Sequence, residues 1–209
     1  MRINIFGSLP PTYTGSGDVA ATDEKLAGCR HRILDAAVKI ATEGGYHAVV
    51  IDQVARRAEV PRTTVELLFP SPVHILVSAL SAELHIFDDR LQSALGTVGD
   101  PFGRLRVALS KLIGAMESSG HITEAMTHAY AASHAVATEG AQTVRDQTSV
   151  SWADVMGAGR PTDEHRQVAE VMADIWTAEV VALVQDRISL DDLRRQCSEA
   201  IDLMASRRH

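Results

Sequence analysis

Hydrophobic residues recur at helical spacing along the chain from about residue 24 onward. The pattern predicts a first helix that begins near Glu24 and ends at Gly44-Gly45, since glycine suits the left-handed backbone after a last helical turn. One face of this helix carries apolar side chains at i, i+3, i+4, i+7 and i+8: Ile33, Ala36, Ala37, Ile40 and Ala41. Residues 1–23 are rich in Gly, Pro, Ser and Thr and show no period, which predicts a flexible N-terminal arm.

Two short helices are predicted next. Apolar residues at helical spacing mark one at Ile51–Ala58, and Arg62–Phe69 forms the other. Glu59-Val60-Pro61 makes the tight turn between them. Such a pair is the helix-turn-helix arrangement, in which the second helix enters the major groove of DNA. Residues 24–71 are therefore predicted to form a DNA-binding head.

The rest of the chain, residues 72–209, shows further helical patterns and no strand of consequence. Helices are predicted at 72–95, 101–117, 121–156 with a break, 162–187 and 190–206. Ser71-Pro72 and Asp100-Pro101 supply start signals, a polar cap followed by proline. Ser189, with Asp192 three positions later, resembles a capping box. The predicted fold is all-α, with a small head joined to a larger ligand-binding and dimerisation body.

Composition narrows the class of protein. Hydrophobic residues make up 45% of the chain and charged residues 22%, which is typical of a globular protein. No window approaches the roughly 18 apolar residues of a membrane span, and the first residues lack the core of a signal peptide. We therefore expect a cytoplasmic protein with no membrane contact, in which Cys29 and Cys197 are reduced thiols.

Charge is unevenly distributed along the chain. The formal net charge is -7. Residues 25–69 contain seven basic and five acidic residues, a net charge of +2, whereas residues 70–209 contain twelve basic and nineteen acidic residues, a net charge of -7. The small positive excess coincides with the predicted head and favours a nucleic-acid partner there.

Several motifs in the head resemble the TetR family of regulators. They are Arg32–Ala37, Gly45-Tyr46, Ile51–Ala58, Thr64 and Phe69-Pro70-Ser71, in the order and spacing of that family. A narrower resemblance, to the KstR-like branch that represses steroid and cholesterol catabolism, is carried by segments of the body. These are Val73–Leu80, Thr123–Thr127 with Ala129-Tyr130, Pro161–Glu164 and Asp174–Trp176. The resemblance implies a homodimer that binds palindromic double-stranded DNA and responds to a steroid or acyl-CoA metabolite.

The predicted DNA-reading helix departs from the family pattern. Glu66 stands where relatives have tyrosine, Leu68 where they have another aromatic residue, and Pro72 where they have lysine. Because phosphate contacts supply much of the affinity for DNA, a carboxylate and a missing lysine are expected to weaken or alter binding. The candidate DNA contacts are Lys25, Arg30, Arg32, Arg56, Arg57, Arg62, Thr63, Thr64 and Glu66. The alternative is that many of these charges are only a solvated face.

Two hypotheses for the head follow. In the first, the protein is a working repressor with an altered operator preference, since a glutamate can accept a hydrogen bond from cytosine N4. In the second, the head no longer reads DNA and the dimer binds a ligand or a protein partner.

Helical stripes in the body predict a pocket for a small hydrophobic ligand. Apolar helices with a few polar groups are typical of such sites, although most stripes of this kind are simply core. The candidate ligand contacts are Leu105, Leu109, Leu112, Met116, Met126, Tyr130, His134, Met172 and Trp176. The resemblance further implies a homodimer formed through the last two helices.

Catalytic and metal chemistry find little support in the sequence. There is no phosphate-binding glycine loop, nucleophile elbow or metal-ligand pair. Asp88-Asp89, Asp163-Glu164 and Asp191-Asp192 are adjacent carboxylates, which point in different directions on a helix. His121, His128 and His134 are better explained as surface or pocket-lining groups than as a zinc site. We expect neither an enzyme nor a cofactor.

Overall fold

The structure, a computed structural model, describes residues 16–95 and 99–206. Within these ranges it contains nine α-helices and no strand, which confirms the predicted all-α class. A short 3-10 helix, Tyr46–Ala48, follows the first α-helix. The helices are α1 (Ser16–Gly44), α2 (Ile51–Ala58), α3 (Arg62–Leu68), α4 (Pro72–Ala94), α5 (Pro101–Ser118), α6 (Gly120–Val136), α7 (Thr138–Gly157), α8 (Asp163–Val184) and α9 (Leu190–Ser206).

The first helix begins earlier than its apolar pattern predicts. α1 starts at Ser16 rather than near Glu24, so residues 16–23 are helical and not part of an irregular arm. Ala20 and Ala21 are residues of high helix propensity. The remaining part of the predicted flexible arm, residues 1–15, lies outside the described residues.

The later boundaries agree with the sequence prediction to within three residues. The expected break in 121–156 falls at Ala137, whose backbone (φ -143°, ψ 49°) separates α6 from α7. Asp100 caps α5 by accepting hydrogen bonds from the backbone N–H groups of Phe102 and Gly103. At the start of α9, Ser189 Oγ accepts from the Asp192 backbone N–H at 3.2 Å, as a capping box requires.

One apolar core runs through both parts of the molecule. In α1 to α3 it contains Ile33, Val54 and Val65, which are fully buried, and in the body it contains Leu105 and Met172. Helix α4 takes part in both regions. Its first turns bury Val73, Leu76 and Val77 in this core, while its later turns lie over the body helices. Helix α4 therefore joins the head to the body through one shared core.

No single helix in the described ranges is long and apolar enough to cross a membrane. Helix α3 and the segment Pro72–Asp88 meet the length and composition requirement only as a pair, and the pair is bent by 67°.

Candidate functional site

The helix-turn-helix is present as predicted. Glu59 ends α2 in the left-handed region (φ 53°, ψ 44°) and turns the chain towards α3. The inner side of the unit is apolar, with Val65 and Phe69 buried. The outer side of α3 is exposed to solvent, and Leu67 on that side is 76% exposed. The exposed residues of α3 are Arg62, Thr63, Glu66 and Leu67, while Thr64 and Leu68 are half-buried.

Arg62, the only basic residue of α3, is bound to two carboxylates. Its Nε donates to Glu66 Oε1 at 2.9 Å, and its Nη1 donates to Asp52 Oδ1 of α2 at 2.7 Å. These hydrogen bonds raise the pKa of the Arg62 guanidinium above its ordinary value, and the bond that Arg62 donates to Glu66 is the largest cause. The positive charge at this end of the reading helix is therefore largely neutralised within the chain.

Arg57 has a similar arrangement at the end of α2. It donates to both oxygens of Glu43 at 2.5 Å, and this hydrogen bonding lowers the pKa of the Glu43 carboxyl. Arg30 lies over the ring of Phe69, with its guanidinium carbon 4.5 Å from the ring centroid, and donates to Ser78 Oγ at 3.4 Å. Arg30 thus connects α1 with α4.

The other expected DNA contacts carry fewer internal bonds. Lys25, Arg32, Arg56 and Thr63 are exposed. Arg32 is 3.5 Å from the Cys29 sulfur. Within the described ranges, neither Lys25 nor Arg56 has an ion-pair partner. Pro72, the residue in place of the family's lysine, is the first residue of α4. Of the candidate basic contacts to DNA, Lys25, Arg30, Arg32 and Arg56 have no ion-pair partner within the described ranges, and Arg30 is held against Phe69 and Ser78.

A cavity of about 420 Å³ lies between the body helices and α1. This volume falls in the range of about 300–1,000 Å³ that is usual for small-molecule sites. Exposed lining residues, among them Thr42, Glu83 and Ser119, mark its mouth, and buried ones such as Trp176 mark its inner end. Its lining consists of Val38, Thr42, Leu80, Glu83, Leu84, Ile86, Phe87, Leu112, Ala115, Met116, Ser119, Ile122, Thr123, Met126, Thr127, Tyr130, Val144, Thr148, Trp176 and Val180.

Five of the nine expected ligand contacts line this cavity: Leu112, Met116, Met126, Tyr130 and Trp176. The other four do not. Leu105, Leu109 and Met172 are buried in the core, where neighbouring helices cover them. His134 is exposed, and its ring contacts the edge of Tyr130 with the centroids 5.2 Å apart. The helical period identified the apolar stripes but not which turn of each stripe meets the open space.

The sequence prediction missed most of the lining residues, among them every polar side chain except Tyr130. Apart from Tyr130, the lining includes five hydroxyl side chains and one charged group, the Glu83 carboxylate of α4. A signal was available for two of them. Thr123 and Thr127 are four residues apart on α6, beside Met126, so they share a face with an expected ligand contact.

The inner end of the cavity is aromatic. Trp152 and Trp176 contact edge to face, with ring centroids 6.0 Å apart. The Tyr130 hydroxyl lies 2.8 Å from Thr177 Oγ1, and burial raises the pKa of this phenol, which is neutral at physiological pH. The part of the chain that the structure describes contains no group of three or more His, Cys, Asp or Glu residues arranged to hold a metal ion.

Comparison with known proteins identifies two family regions in chain order. Residues 33–76 match the model "Bacterial regulatory proteins, tetR family", and residues 99–204 match "Tetracyclin repressor-like, C-terminal domain". The chain is 37% identical over 175 residues to the HTH-type transcriptional repressor KstR of Mycobacterium tuberculosis, covering 84% of this chain and 80% of that protein. It is 34% identical over 190 residues to KstR of Rhodococcus jostii, covering 91% and 88%.

A solved structure has the same fold. A TetR transcriptional regulator from Rhodococcus sp. RHA1 superposes with a TM-score of 0.68 at 23% identity, over 84% of this chain and 95% of that one. Two family models matched in order, together with relatives 34–37% identical over most of the chain, show that the chain belongs to the TetR family of bacterial transcriptional regulators.

Proposed function

We propose that this regulator is a dimeric DNA-binding repressor whose affinity for DNA is controlled by a small apolar ligand in the cavity. The observation that carries the proposal is that α1 and α4 belong both to the cavity wall and to the core of the head. Val38 and Thr42 of α1 and Leu80 and Leu84 of α4 line the cavity. The relatives named KstR are transcriptional repressors, which supports the same direction of control.

In this proposal residues 24–71 form the DNA-binding head, and α3 lies in the major groove of a palindromic duplex. Arg62 and Arg57 are held in ion pairs, but these pairs lie at the surface, where such bonds contribute only about 0–1 kcal/mol. Phosphate oxygens can therefore replace Glu43 or Asp52 as partners. Because phosphate can replace the carboxylate in these ion pairs, they favour the first hypothesis for the head, a working repressor with altered operator preference.

The ion pairs also define a second candidate function, a ligand-responsive dimer that does not read DNA. Glu66 and Leu67 occupy the exposed face of α3, where donors to DNA would be expected. This candidate predicts that Glu66→Tyr combined with Leu68→Tyr creates DNA binding where the parent chain has none. The absence of any gain in the double variant would contradict it.

The dimer is proposed to form through α8 and α9, within a body that extends from residue 72 onward. Exposed apolar side chains on these helices include Val171, which is 50% exposed, and Leu203, which is 68% exposed. Val180, Leu193 and Ile201 on the same helices are buried in the core of their own chain. A twofold interface of this kind would place two heads on the half-sites of a palindrome.

Two contacts connect the cavity with the head. Helix α4 runs from the head to the mouth of the cavity, and α6 packs against the turn that follows α1. At that turn Gly45 has φ 71°, and a Cβ added to it would lie 2.5 Å from Glu124 Oε2 of α6. A ligand that favours the DNA-incompetent arrangement would change DNA affinity about tenfold for each 1.4 kcal/mol of preference.

Selection from a random duplex library at low salt, followed by a salt titration, tests the DNA-binding part. An enriched inverted repeat, bound with an affinity that falls steeply with salt, is the expected result. Arg56→Ala should weaken binding to every enriched sequence, because Arg56 is exposed, has no ion-pair partner in the described part of the chain, and can contact a phosphate directly. Failure of a folded dimer to enrich any sequence would refute the repressor and leave the second candidate.

A further inference from the structure

Helices α4 and α7 meet along a seam that contains hydrogen bonds between side chains. Near its middle, Ser81 Oγ of α4 donates to Gln147 Oε1 of α7 at 2.7 Å. Gln147 Nε2 donates in turn to the backbone carbonyl oxygen of Ser81 at 2.9 Å. Further along, Ser151 Oγ of α7 donates to Asp88 Oδ1 of α4 at 2.6 Å. The amide of Gln147 is therefore joined to α4 through both its oxygen and its nitrogen.

At the end of the seam nearer the head, the two helices approach each other closely. Gly140 of α7 faces Val77 of α4, and a Cβ added to Gly140 would lie 2.9 Å from Val77 Cγ1. Val77 is buried in the core that extends from the head into the body. Helix α7 thus contacts the part of α4 that packs with the head.

The two bonds of Gln147 restrict the position of α4 along α7 more closely than apolar contacts do. A hydrogen bond is lost beyond about 3.5 Å, so a shift of about 1 Å along either bond breaks it. Packed helices typically move by about 1–2 Å when a protein changes between two arrangements. The Gln147 bonds would therefore form in one arrangement of α4 and break in another.

The seam also borders the cavity. Leu80 and Leu84 of α4 line the cavity beside Ser81, and Val144 and Thr148 of α7 line it beside Gln147. A molecule bound in the cavity would contact both helices next to the seam. Any separation of α4 from α7 that it causes lengthens the bonds between Gln147 and Ser81.

We propose that Gln147 is a positioning residue, which holds α4 through Ser81 and so sets the position of the head relative to the body. Glutamine suits this role because its uncharged amide both donates and accepts, so it bonds to α4 without placing a charge in a half-buried seam. The inference rests on the DNA-binding function proposed above, since it gives Gln147 a part in the control of α3.

The distance between two spin labels on the full chain tests the inference directly. One label is attached at Leu67→Cys on α3 and the other at Val150→Cys on α7, both at highly exposed positions. The chain's own Cys29 and Cys197 are buried. Labelled chains are mixed with an excess of unlabelled chains, so that each measured distance lies within one chain. Affinity for an enriched duplex is measured separately, by fluorescence anisotropy with unlabelled chains.

Gln147→Met removes both bonds and nearly conserves the length and volume of the side chain, so the fold should persist. The distance between the labels should shift by about 2 Å or more, or its distribution should broaden. Affinity for the duplex should change at least about threefold, because the balance between two arrangements of α4 changes. Ser81→Ala leaves the bond from Gln147 to the Ser81 carbonyl and should have a smaller effect on both quantities.

Gln142→Met is the matched control. Gln142 is an exposed glutamine of the same helix, and its Nε2 donates to Asp146 of α7 at 2.8 Å rather than to α4. This variant should keep both the distance and the affinity of the parent chain.

The two measurements separate the ways in which the inference can fail. An unchanged distance distribution in Gln147→Met would refute the positioning role, whatever happens to the affinity. A changed distance with an unchanged affinity would show that Gln147 positions the head without controlling DNA binding, and would refute that part of the inference. If the parent chain enriches no duplex, the repressor proposed above fails, and the distances still decide whether Gln147 positions the head.

Discussion

The face of α3 and the wall of the cavity both carry polar side chains that are already bonded within the chain, but the two sets of bonds differ in kind. On α3 the bonds are ion pairs between exposed side chains, such as Arg62 with Asp52, where both groups are more than half exposed. In the cavity they are hydrogen bonds from hydroxyl groups to the backbone carbonyls of the same or a neighbouring helix.

This difference decides how each surface responds to a partner. Exposed ion pairs contribute little and exchange readily, so DNA phosphate can replace a carboxylate on Arg62 or Arg57. The hydroxyl groups of Thr123 and Thr127 would each have to give up a short bond in a half-buried place to bind a partner instead. The head can therefore exchange its ion pairs for contacts to DNA more readily than these two hydroxyl groups can leave their carbonyls.

The largest expected effect concerns packing in the two regions. Ile33→Ala in the head and Leu105→Ala in α5 remove fully buried side chains and should each lower the free energy of unfolding by about 2–5 kcal/mol. Leu112→Ala, on the same helix as Leu105, removes a half-buried side chain that already borders open space and should lower it by only about 1 kcal/mol.

Urea unfolding of the three variants, followed by circular dichroism, measures these differences. The parent chain and Leu112→Met, which nearly conserves volume, are the controls. If Leu112→Ala lowered the free energy of unfolding as much as Leu105→Ala does, this part of α5 would be closely packed and no cavity would border it.

The same pair of residues shows what the sequence could predict about the body. Leu105, Leu109, Leu112 and Met116 form one helical stripe, and the period correctly predicts that all four face inward. It does not reveal that Leu105 meets other helices while Leu112 meets a cavity. That distinction depends on the positions of α4, α6 and α7, which local spacing does not encode.

In the head, the helices were predictable from the sequence, but only some of the ion pairs were. Turn residues and apolar spacing located α2 and α3, because these features act within a few residues. The Arg62–Glu66 pair could have been anticipated from its i, i+4 spacing on one helix. The Arg62–Asp52 and Arg57–Glu43 pairs join different helices, so they required the tertiary structure.

The second prediction tests the exchange of ion pairs on α3. Asp52→Asn combined with Glu66→Gln removes both carboxylates that hold Arg62 and makes each head more positive by two charges. Affinity for an enriched duplex at low salt should rise about tenfold or more, and its dependence on salt should become steeper. Fluorescence anisotropy at several salt concentrations measures both quantities.

A matched change of charge in the body controls for net charge alone. Asp163→Asn with Asp186→Asn also adds two positive charges per chain, at exposed positions outside the head. This control should alter affinity by much less than tenfold. Equal gains in the two double variants would show that the pairs of Arg62 do not compete with DNA.

The smallest expected effect is a difference between two carboxyl groups. The pKa of Glu43 lies below its ordinary value of 4.5, chiefly because of hydrogen bonding from Arg57. The pKa of Asp192 is about 2, chiefly because the backbone N–H of Ser189 donates to it. Each lowered pKa stabilises the folded state at pH values above the ordinary pKa of that group. The stabilisation is lost as the pH falls through the pKa of the group in the folded state.

DNA binding should change the pKa of Glu43 and leave that of Asp192 unchanged. If Arg57 moves to a phosphate, Glu43 loses its donor and its pKa rises towards 4.5, so binding takes up protons at acidic pH. Asp192 keeps its bonds to Ser189 and should titrate near 2 in both states. NMR titration of carbon-labelled carboxyl groups, with and without duplex, measures both, and Arg57→Ala should raise the Glu43 value without DNA. An unchanged Glu43 pKa in the complex would show that Arg57 stays with Glu43 and does not exchange its partner for a DNA phosphate.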